Sequence, residues 1–236
     1  MLILPLVASP RARHAPATSM TEDSWKGPEL AQRIERVLAR FGRDFASSPG
    51  PAGPTEAIQR WAELVIDWNQ RMDLTAARSP DELVDLLLAD AAQLAQLTDE
   101  GPASWVDVGS GAGAPGLALA LLRPDLKLTL VEPKQKRVVF LRSVLHELGR
   151  ADILVERARA DALESKHFDV AVSRATLPPP EWVRAGARLA RRRVWVLLAQ
   201  AEPPAPPPGF RLDIDERYAL PLGGAQRRAV SYVRSR

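Results

Sequence analysis

The stretch DVGSGAGAPG, residues 107–116, decides the fold of this 236-residue chain. Its first two residues end a mostly apolar run at residues 105–108, and the stretch leads into a second apolar segment with the spacing of a helix. Gly109, Gly111 and Gly113 allow a tight turn, and they let a ligand approach the backbone where no Cβ intervenes. A glycine loop between a strand and a helix is typical of nucleotide-binding α/β domains. The sequence therefore predicts a Rossmann-like domain with its ligand at this loop.

Two acidic residues indicate which ligand the loop binds. Glu132 ends the next predicted strand, 23 residues after Gly109, and a carboxylate at that position can accept both ribose hydroxyls of an adenosine cofactor. Asp107 precedes the first glycine. A carboxylate there would repel the pyrophosphate of a dinucleotide, whereas it favours the cationic methionine end of S-adenosylmethionine. We therefore favour S-adenosylmethionine as the cofactor, with NAD as the alternative.

Short apolar runs alternate with helical patterns on both sides of this loop. The strand candidates are residues 105–108, 128–131, 153–155, 169–172 and 194–198. Residues 117–122 and 136–148 read as intervening helices, and two late runs, near 211–218 and 229–233, predict an antiparallel pair. This alternation predicts the α/β class, with a mostly parallel, Rossmann-like sheet whose last strand is antiparallel. With S-adenosylmethionine as the favoured cofactor, we expect this sheet to be of the class I methyltransferase type.

The chain before the sheet reads mostly as helices. Apolar side chains recur every three or four residues around Leu30, Ile58 and Leu83. Ser79 is the expected cap of the third helix, with Pro80 in its first turn. We therefore expect three parts: a disordered tail over 1–24, a helical N-terminal extension over 25–100 and the cofactor-binding domain over 101–236.

Composition and charge narrow the class of protein. The chain has no cysteine and three histidines, which excludes disulfides and thiolate nucleophiles and gives no pattern of metal ligands. No stretch reaches the roughly 18 apolar residues of a membrane span, so we expect a cytoplasmic protein with neither metal nor membrane contact. The net charge is +3, but residues 182–236 contain eleven arginines and four acidic residues. This basic segment suggests a polyanionic partner, and a solvated arginine-rich surface is the alternative.

At this point the sequence is similar to a known family. Over about residues 55–236 it resembles the bacterial 16S rRNA guanine-N7 methyltransferases, the RsmG/GidB family. The shared motifs are Trp68-Asn69 with Leu74-Thr75, the loop 107–116 with its trailing Pro-Gly, Lys136-Arg137 followed by Phe140-Leu141, Ser173-Arg174-Ala175, and Gln226-Arg227-Arg228. The resemblance implies methyl transfer from S-adenosylmethionine to N7 of a guanine. The expected partner is 16S ribosomal RNA or the small-subunit particle, and the expected state is a monomer.

The resemblance also implies particular site residues. Cofactor contacts would be Gly109, Ala114, Ala160, Asp161 and Arg174, in addition to the loop glycines and acids described above. Arg174 follows the fourth predicted strand and is the candidate catalytic residue, because its guanidinium can bind the cofactor carboxylate or stack on the target base. Guanine N7 has a free lone pair, so the protein needs mainly to align the reacting atoms. Lys134, Lys136, Arg137, Arg142 and residues 191–193 are candidate contacts to RNA phosphates.

Three positions depart from the family pattern. Asp73 stands where the family usually has Asn, and residues 87–91 read Leu-Leu-Ala-Asp-Ala where His-x-x-Asp-Ser is common. Gln200 lies where a lysine close to glycine is common. These departures keep two alternatives open: a methyltransferase for another RNA or a small molecule, and a protein that binds the cofactor and RNA without turnover.

Overall fold

The structure is a computed structural model, and it describes residues 25–42, 53–98, 101 and 103–235. The predicted tail over 1–24 lies outside the described residues. The helices are α1 (Gly27–Arg40), α2 (Pro54–Asn69), α3 (Pro80–Val84), α4 (Asp90–Leu97), α5 (Gly116–Leu122), α6 (Gln135–Glu147) and α7 (Pro179–Leu189). A five-residue π-helical turn, Asp85–Ala89, joins α3 to α4, and we call it the π turn. None of the described helices is long and apolar enough to cross a bilayer.

Seven strands form one sheet. They are β1 (Ser104–Val108), β2 (Lys127–Val131), β3 (Leu154–Glu156), β4 (Phe168–Arg174), β5 (Ala190–Leu198), β6 (Phe210–Ala219) and β7 (Gln226–Arg234). The order across the sheet is β3-β2-β1-β4-β5-β7-β6. The first five pair in parallel, whereas β7 pairs antiparallel with both β5 and β6. The predicted fold class is confirmed, including the antiparallel closing pair.

Each of the predicted strands is present: β3 is shifted by one residue, and the others are one to four residues longer than predicted. The third helical segment begins as expected, because the Ser79 hydroxyl accepts a hydrogen bond from the backbone N–H of Glu82 at 3.1 Å. Helix α7 was not predicted, and it begins within the proline run at residues 178–180. Pro179 and Pro180 fit the first turn of α7, where a missing N–H costs no hydrogen bond.

The sheet has an apolar cluster on each face. One cluster joins α1, α2 and α4 to α5, α6 and the inner strands, with Trp61 and Trp105 fully buried. The other packs α7 against the opposite face around Trp182 and Val194. The N-terminal helices therefore share a core with the sheet, and they cover the face next to the glycine loop.

Candidate active site

A cavity of about 460 Å³ lies at the carboxyl ends of β1, β2 and β4. Ligands of open α/β sheets bind at this edge, outside the strand ends. Its walls come from the glycine loop, from residues 132–134 after β2, from residues 174–176 at the end of β4, and from two N-terminal segments, residues 74–76 and the π turn. The helical part of the chain therefore closes one side of the cavity.

Gly109 makes the first turn of the loop and cannot have a side chain. Its φ is +77°, and a Cβ on it would lie 2.0 Å from the Thr176 hydroxyl oxygen. Its N–H donates to the carbonyl of Val131 at 2.7 Å, while the Thr176 hydroxyl donates to the carbonyl of Val108 at 3.0 Å. The loop is thus tied to β2 on one side and packed against the residue after β4 on the other.

Glu132 lies in the cavity wall at the predicted place. It is 2 % exposed, and one carboxylate oxygen accepts the Gly111 N–H at 3.1 Å while the other accepts the Lys134 N–H at 2.9 Å. Arg137 approaches the same carboxylate to 4.0 Å. These contacts fix the carboxylate beside the glycine loop, and its contact with a ribose stays a prediction.

Asp107 lies beneath the loop and does not line the cavity. One carboxylate oxygen accepts the Gly116 N–H at 3.0 Å, and the other has no hydrogen-bond partner among the described residues. Burial raises the pKa of this carboxyl to about 7, against the lowering effect of the Gly116 hydrogen bond. Asp107 therefore holds the first residue of α5, and its contact with the methionine end of the cofactor stays a prediction.

The other loop residues divide between the cavity and α2. Gly111 and Ala114 line the cavity, whereas Gly113 faces the other way: a Cβ there would lie 3.3 Å from the Trp61 ring. The Trp61 indole N–H donates to the carbonyl of Ala112 at 2.9 Å. Trp61 is therefore a core residue that also fixes the backbone of the loop.

Arg174 lines the cavity at the end of β4. Its Nη1 donates to the carbonyl of Leu86 at 2.6 Å and to the Asp90 carboxylate at 2.8 Å. The following residue, Ala175, has a φ of +54°, a region that residues with a side chain seldom adopt. The chain turns sharply here, and the turn brings Thr176 to the loop.

The structure does not bring Ala160 and Asp161 into the cavity wall. They belong to a 3-10 turn, Ala160–Ala162, after β3. The Asp161 side chain is 77 % exposed and lies 3.7 Å from Arg159, while the carbonyl of Ala160 accepts a hydrogen bond from Arg188. Their contact with the adenine stays a prediction that the geometry of this turn does not support.

The wall formed by residues 74–76 was missed as part of the site. Asn69 determines its position, because its side-chain oxygen accepts the N–H of Leu74 at 2.9 Å and of Thr75 at 3.0 Å. Arg137 donates to the carbonyl of Asp73 at 2.8 Å. The Trp-Asn and Leu-Thr motifs are therefore two parts of one turn, and that spacing is the signal that could have found this wall.

Some arginines of the basic C-terminal segment pair with acids of the same segment. Arg193 pairs with Asp213 at 2.7 Å, and Arg228 pairs with Asp215 at 2.5 Å and with Glu202 at 2.7 Å. Around the cavity, Lys134, Arg137 and Arg174 supply positive charge. Among the described residues, no cluster of three histidine or acidic side chains could hold a metal ion.

A scan of known families matches residues 54–204 to the family described as GidB, rRNA small subunit methyltransferase G. Two similar proteins bear the name Ribosomal RNA small subunit methyltransferase G. The one from Rhizorhabdus wittichii is 38 % identical over 130 residues, which are 54 % of this chain and 60 % of that protein. The one from Pseudomonas aeruginosa is 34 % identical over 204 residues, 84 % of this chain and 94 % of that protein.

Solved structures show the same fold at low sequence identity. A mutant of MtNAS in complex with S-adenosylmethionine superposes with a TM-score of 0.53 at 16 % identity, over 87 % of this chain and 98 % of that chain. This likeness concerns the fold.

Proposed function

Because the chain belongs to the GidB family of rRNA small subunit methyltransferase G, we propose that it methylates N7 of a guanine in 16S ribosomal RNA. The family resemblance is confirmed, and with it the prediction of an S-adenosylmethionine-dependent rRNA methyltransferase. The observation that carries the proposal is the buried Glu132 carboxylate in the wall of the glycine-loop cavity. A ribosomal substrate would place the enzyme in the cytoplasm. We propose that the protein acts as a monomer.

The residues present fit S-adenosylmethionine better than a dinucleotide. Gly109, which has no Cβ, lets the loop pack closely against Thr176, and the buried Glu132 carboxylate beside the loop can accept the ribose hydroxyls. Arg174, on the opposite wall, can bind the carboxylate of the methionine part. The bound cofactor supplies an electrophilic methyl group on a sulfonium.

The chemistry at guanine N7 makes few demands on acid or base groups. The N7 lone pair is not part of a Watson–Crick hydrogen bond and needs no deprotonation before attack, so the protein contributes by alignment and by excluding water. The cavity wall has no histidine or cysteine among its described residues, and it has three cations. Lys134 and Arg137 lie on the side of the wall that follows β2, where an RNA backbone could be held.

The test is methylation of small-subunit RNA in vitro, with the position of the new methyl group read by mass spectrometry. We expect N7-methylguanosine at one site, formed from labelled S-adenosylmethionine. The matched control is the same RNA transcribed with 7-deazaguanosine, which has no N7 and should accept no methyl group. Equal methylation of the two RNAs would overturn the proposal of N7 as the acceptor.

A further inference from the structure

Asp90 is a buried carboxylate shared by two donors from distant parts of the chain. It is 3 % exposed. One oxygen accepts Arg174 Nη1 at 2.8 Å, and the other accepts the hydroxyl of Tyr218. Tyr218 lies on β6, which is the outermost strand at one edge of the sheet. A carboxylate out of water needs such partners, because an unpaired buried charge is strongly destabilising.

The π turn supplies the second acceptor for Arg174. A π turn departs from the regular i to i+4 pattern of the α-helix, and such turns are frequent at functional sites. The carbonyl of Leu86 lies in this turn and accepts Arg174 Nη1 at 2.6 Å. Leu86 and Leu87 also line the cavity. The irregular helix therefore presents a carbonyl and a carboxylate to the same guanidinium nitrogen.

Only one of the three guanidinium nitrogens of Arg174 donates hydrogen bonds to described residues. Both of its hydrogen bonds to described residues start from Nη1, while Nε and Nη2 make none that the described residues show. The side chain is 25 % exposed and lines the cavity. A guanidinium held at one corner keeps its remaining N–H groups for a planar anion, which is the geometry that binds a carboxylate.

We propose that Asp90 and Tyr218 are positioning residues that hold Arg174 for the carboxylate of the cofactor's methionine part. The inference rests on the proposed function. It extends that function to a contact between distant parts of the chain, because Arg174 lies 84 positions and Tyr218 lies 128 positions after Asp90 in the sequence. It assigns the β6–β7 hairpin a part in cofactor affinity, although no residue of the hairpin lines the cavity.

Attachment of the hairpin to the helices does not by itself account for Asp90. Asp85, in the same π turn, already accepts the N–H groups of Leu222 and Gly223, the latter at 2.6 Å. Asp85 has no contact with Arg174 among its hydrogen bonds to described residues. The two acids thus have different contacts: Asp85 binds the turn between β6 and β7, whereas Asp90 connects Tyr218 of that hairpin to Arg174 in the cavity wall.

The test compares two ligands on Tyr218→Phe by calorimetry. S-Adenosylhomocysteine has the carboxylate, whereas 5′-methylthioadenosine has the adenosine and sulfur without it. We expect Tyr218→Phe to weaken binding of the first roughly ten-fold, the effect of one hydrogen bond to a charged group, and to leave the second unchanged. Asp90→Asn should act in the same direction and more strongly.

The matched control is Tyr232→Phe on β7, which removes the phenolic hydroxyl that donates to the carbonyl of Pro204 at 2.6 Å. It should change the affinity for neither ligand. In the background Arg174→Ala, Tyr218→Phe should have no further effect on S-adenosylhomocysteine, because the group that it positions is gone. Unchanged affinity of Tyr218→Phe, or equal weakening of both ligands, would overturn the inference. A wild-type protein that binds neither ligand would overturn the proposed function itself.

Discussion

At the scale of single residues, Asp107 and Glu132 show how two buried acids of one motif differ. Glu132 accepts two backbone N–H groups, one at each oxygen. Asp107 accepts one N–H, and its second oxygen has no partner among the described residues. The sequence predicted both as cofactor ligands from their spacing. It could not distinguish them, because the direction in which each side chain leaves its strand depends on how the loop folds back.

The folding stability of the protein should depend on pH through protonation of the Asp107 carboxyl. Its pKa is raised from an ordinary 3.8 to about 7 by burial, so the folded protein binds more protons than the unfolded chain between these values. The contribution of Asp107 to stability is therefore full below pH 4 and is lost as the pH rises to 7. Asn keeps the acceptor for Gly116. We expect Asp107→Asn to gain stability relative to wild type by roughly 3 kcal/mol between pH 5 and pH 8.

Urea unfolding of the ligand-free protein at the two pH values measures this change. Asp152→Asn is the control, because Arg150 lowers the pKa of the Asp152 carboxyl and its effect should be constant over this range. An Asp107→Asn difference that is equally constant would show that the Asp107 carboxyl is ionised throughout.

Gly109→Ala should remove cofactor binding. The substitution places a Cβ 2.0 Å from the Thr176 hydroxyl at a φ of +77°, so either the loop or the end of β4 must move. Gly149→Ala is the matched control, because its φ is +64° and a Cβ there meets nothing within 4 Å. Both variants should lose about 1 kcal/mol of folding stability, because a residue with a Cβ is strained at a positive φ. Only Gly109→Ala should weaken S-adenosylhomocysteine by more than roughly ten-fold, a factor worth about 1.4 kcal/mol. Equal affinities of the two variants in calorimetry would contradict this role.

At the scale of elements, the strands were predictable, whereas the two cavity walls formed by residues 74–76 and by the π turn were not. Short apolar runs gave β1, β2, β4 and β5, because a strand buried on both faces has few polar positions. The π turn left no trace in the sequence, since its leucines continue the apolar period of the helix. The position of Ala160 after β3 was expected from the resemblance, but the 3-10 turn directs it away from the cavity.

The start of α6 should contact the RNA, because two exposed lysines lie there at or near the cavity. Lys134 lines the cavity, and Lys136, two residues further along the chain, is exposed. The double variant Lys134→Gln, Lys136→Gln should bind small-subunit RNA more weakly and lower the slope of log affinity against log salt by about 2. Lys127→Gln with Lys166→Gln is the charge-matched control: Lys127 begins β2 and Lys166 precedes β4, so both lie at the other end of the sheet. Filter binding at several salt concentrations measures these slopes. Equal slopes for the two double variants would show that the RNA does not contact the start of α6.

At the scale of the whole molecule, one apolar cluster joins the N-terminal helices to the strands. Leu30 and Ile34 of α1 belong to the same cluster as Trp105 of β1 and Leu130 of β2. The helical pattern and the strand pattern were each legible in the sequence, but their packing was not, since it depends on contacts between distant residues. The division of the chain at residue 100 stays a prediction.

This shared core should make unfolding a single event. We expect one transition in urea, with circular dichroism and tryptophan fluorescence coinciding, because loss of α1 and α2 exposes the face of the sheet. S-Adenosylhomocysteine at about 100 times its Kd should stabilise the whole chain by roughly 2.7 kcal/mol, and NAD at the same concentration should have no effect. Two separate transitions, with only the second moved by ligand, would instead support independent domains.

The two borders of the sheet have a consequence for association with other chains. An outer strand exposes unpaired N–H and C=O groups to which a foreign strand can add, and proteins avoid this with short or charged outer strands. One edge strand, β3, has three residues. The other edge strand, β6, has ten residues, and its exposed side chains include Arg211, Asp215 and Arg217. The first edge strand is thus too short, and the second too charged, to act as a template for aggregation.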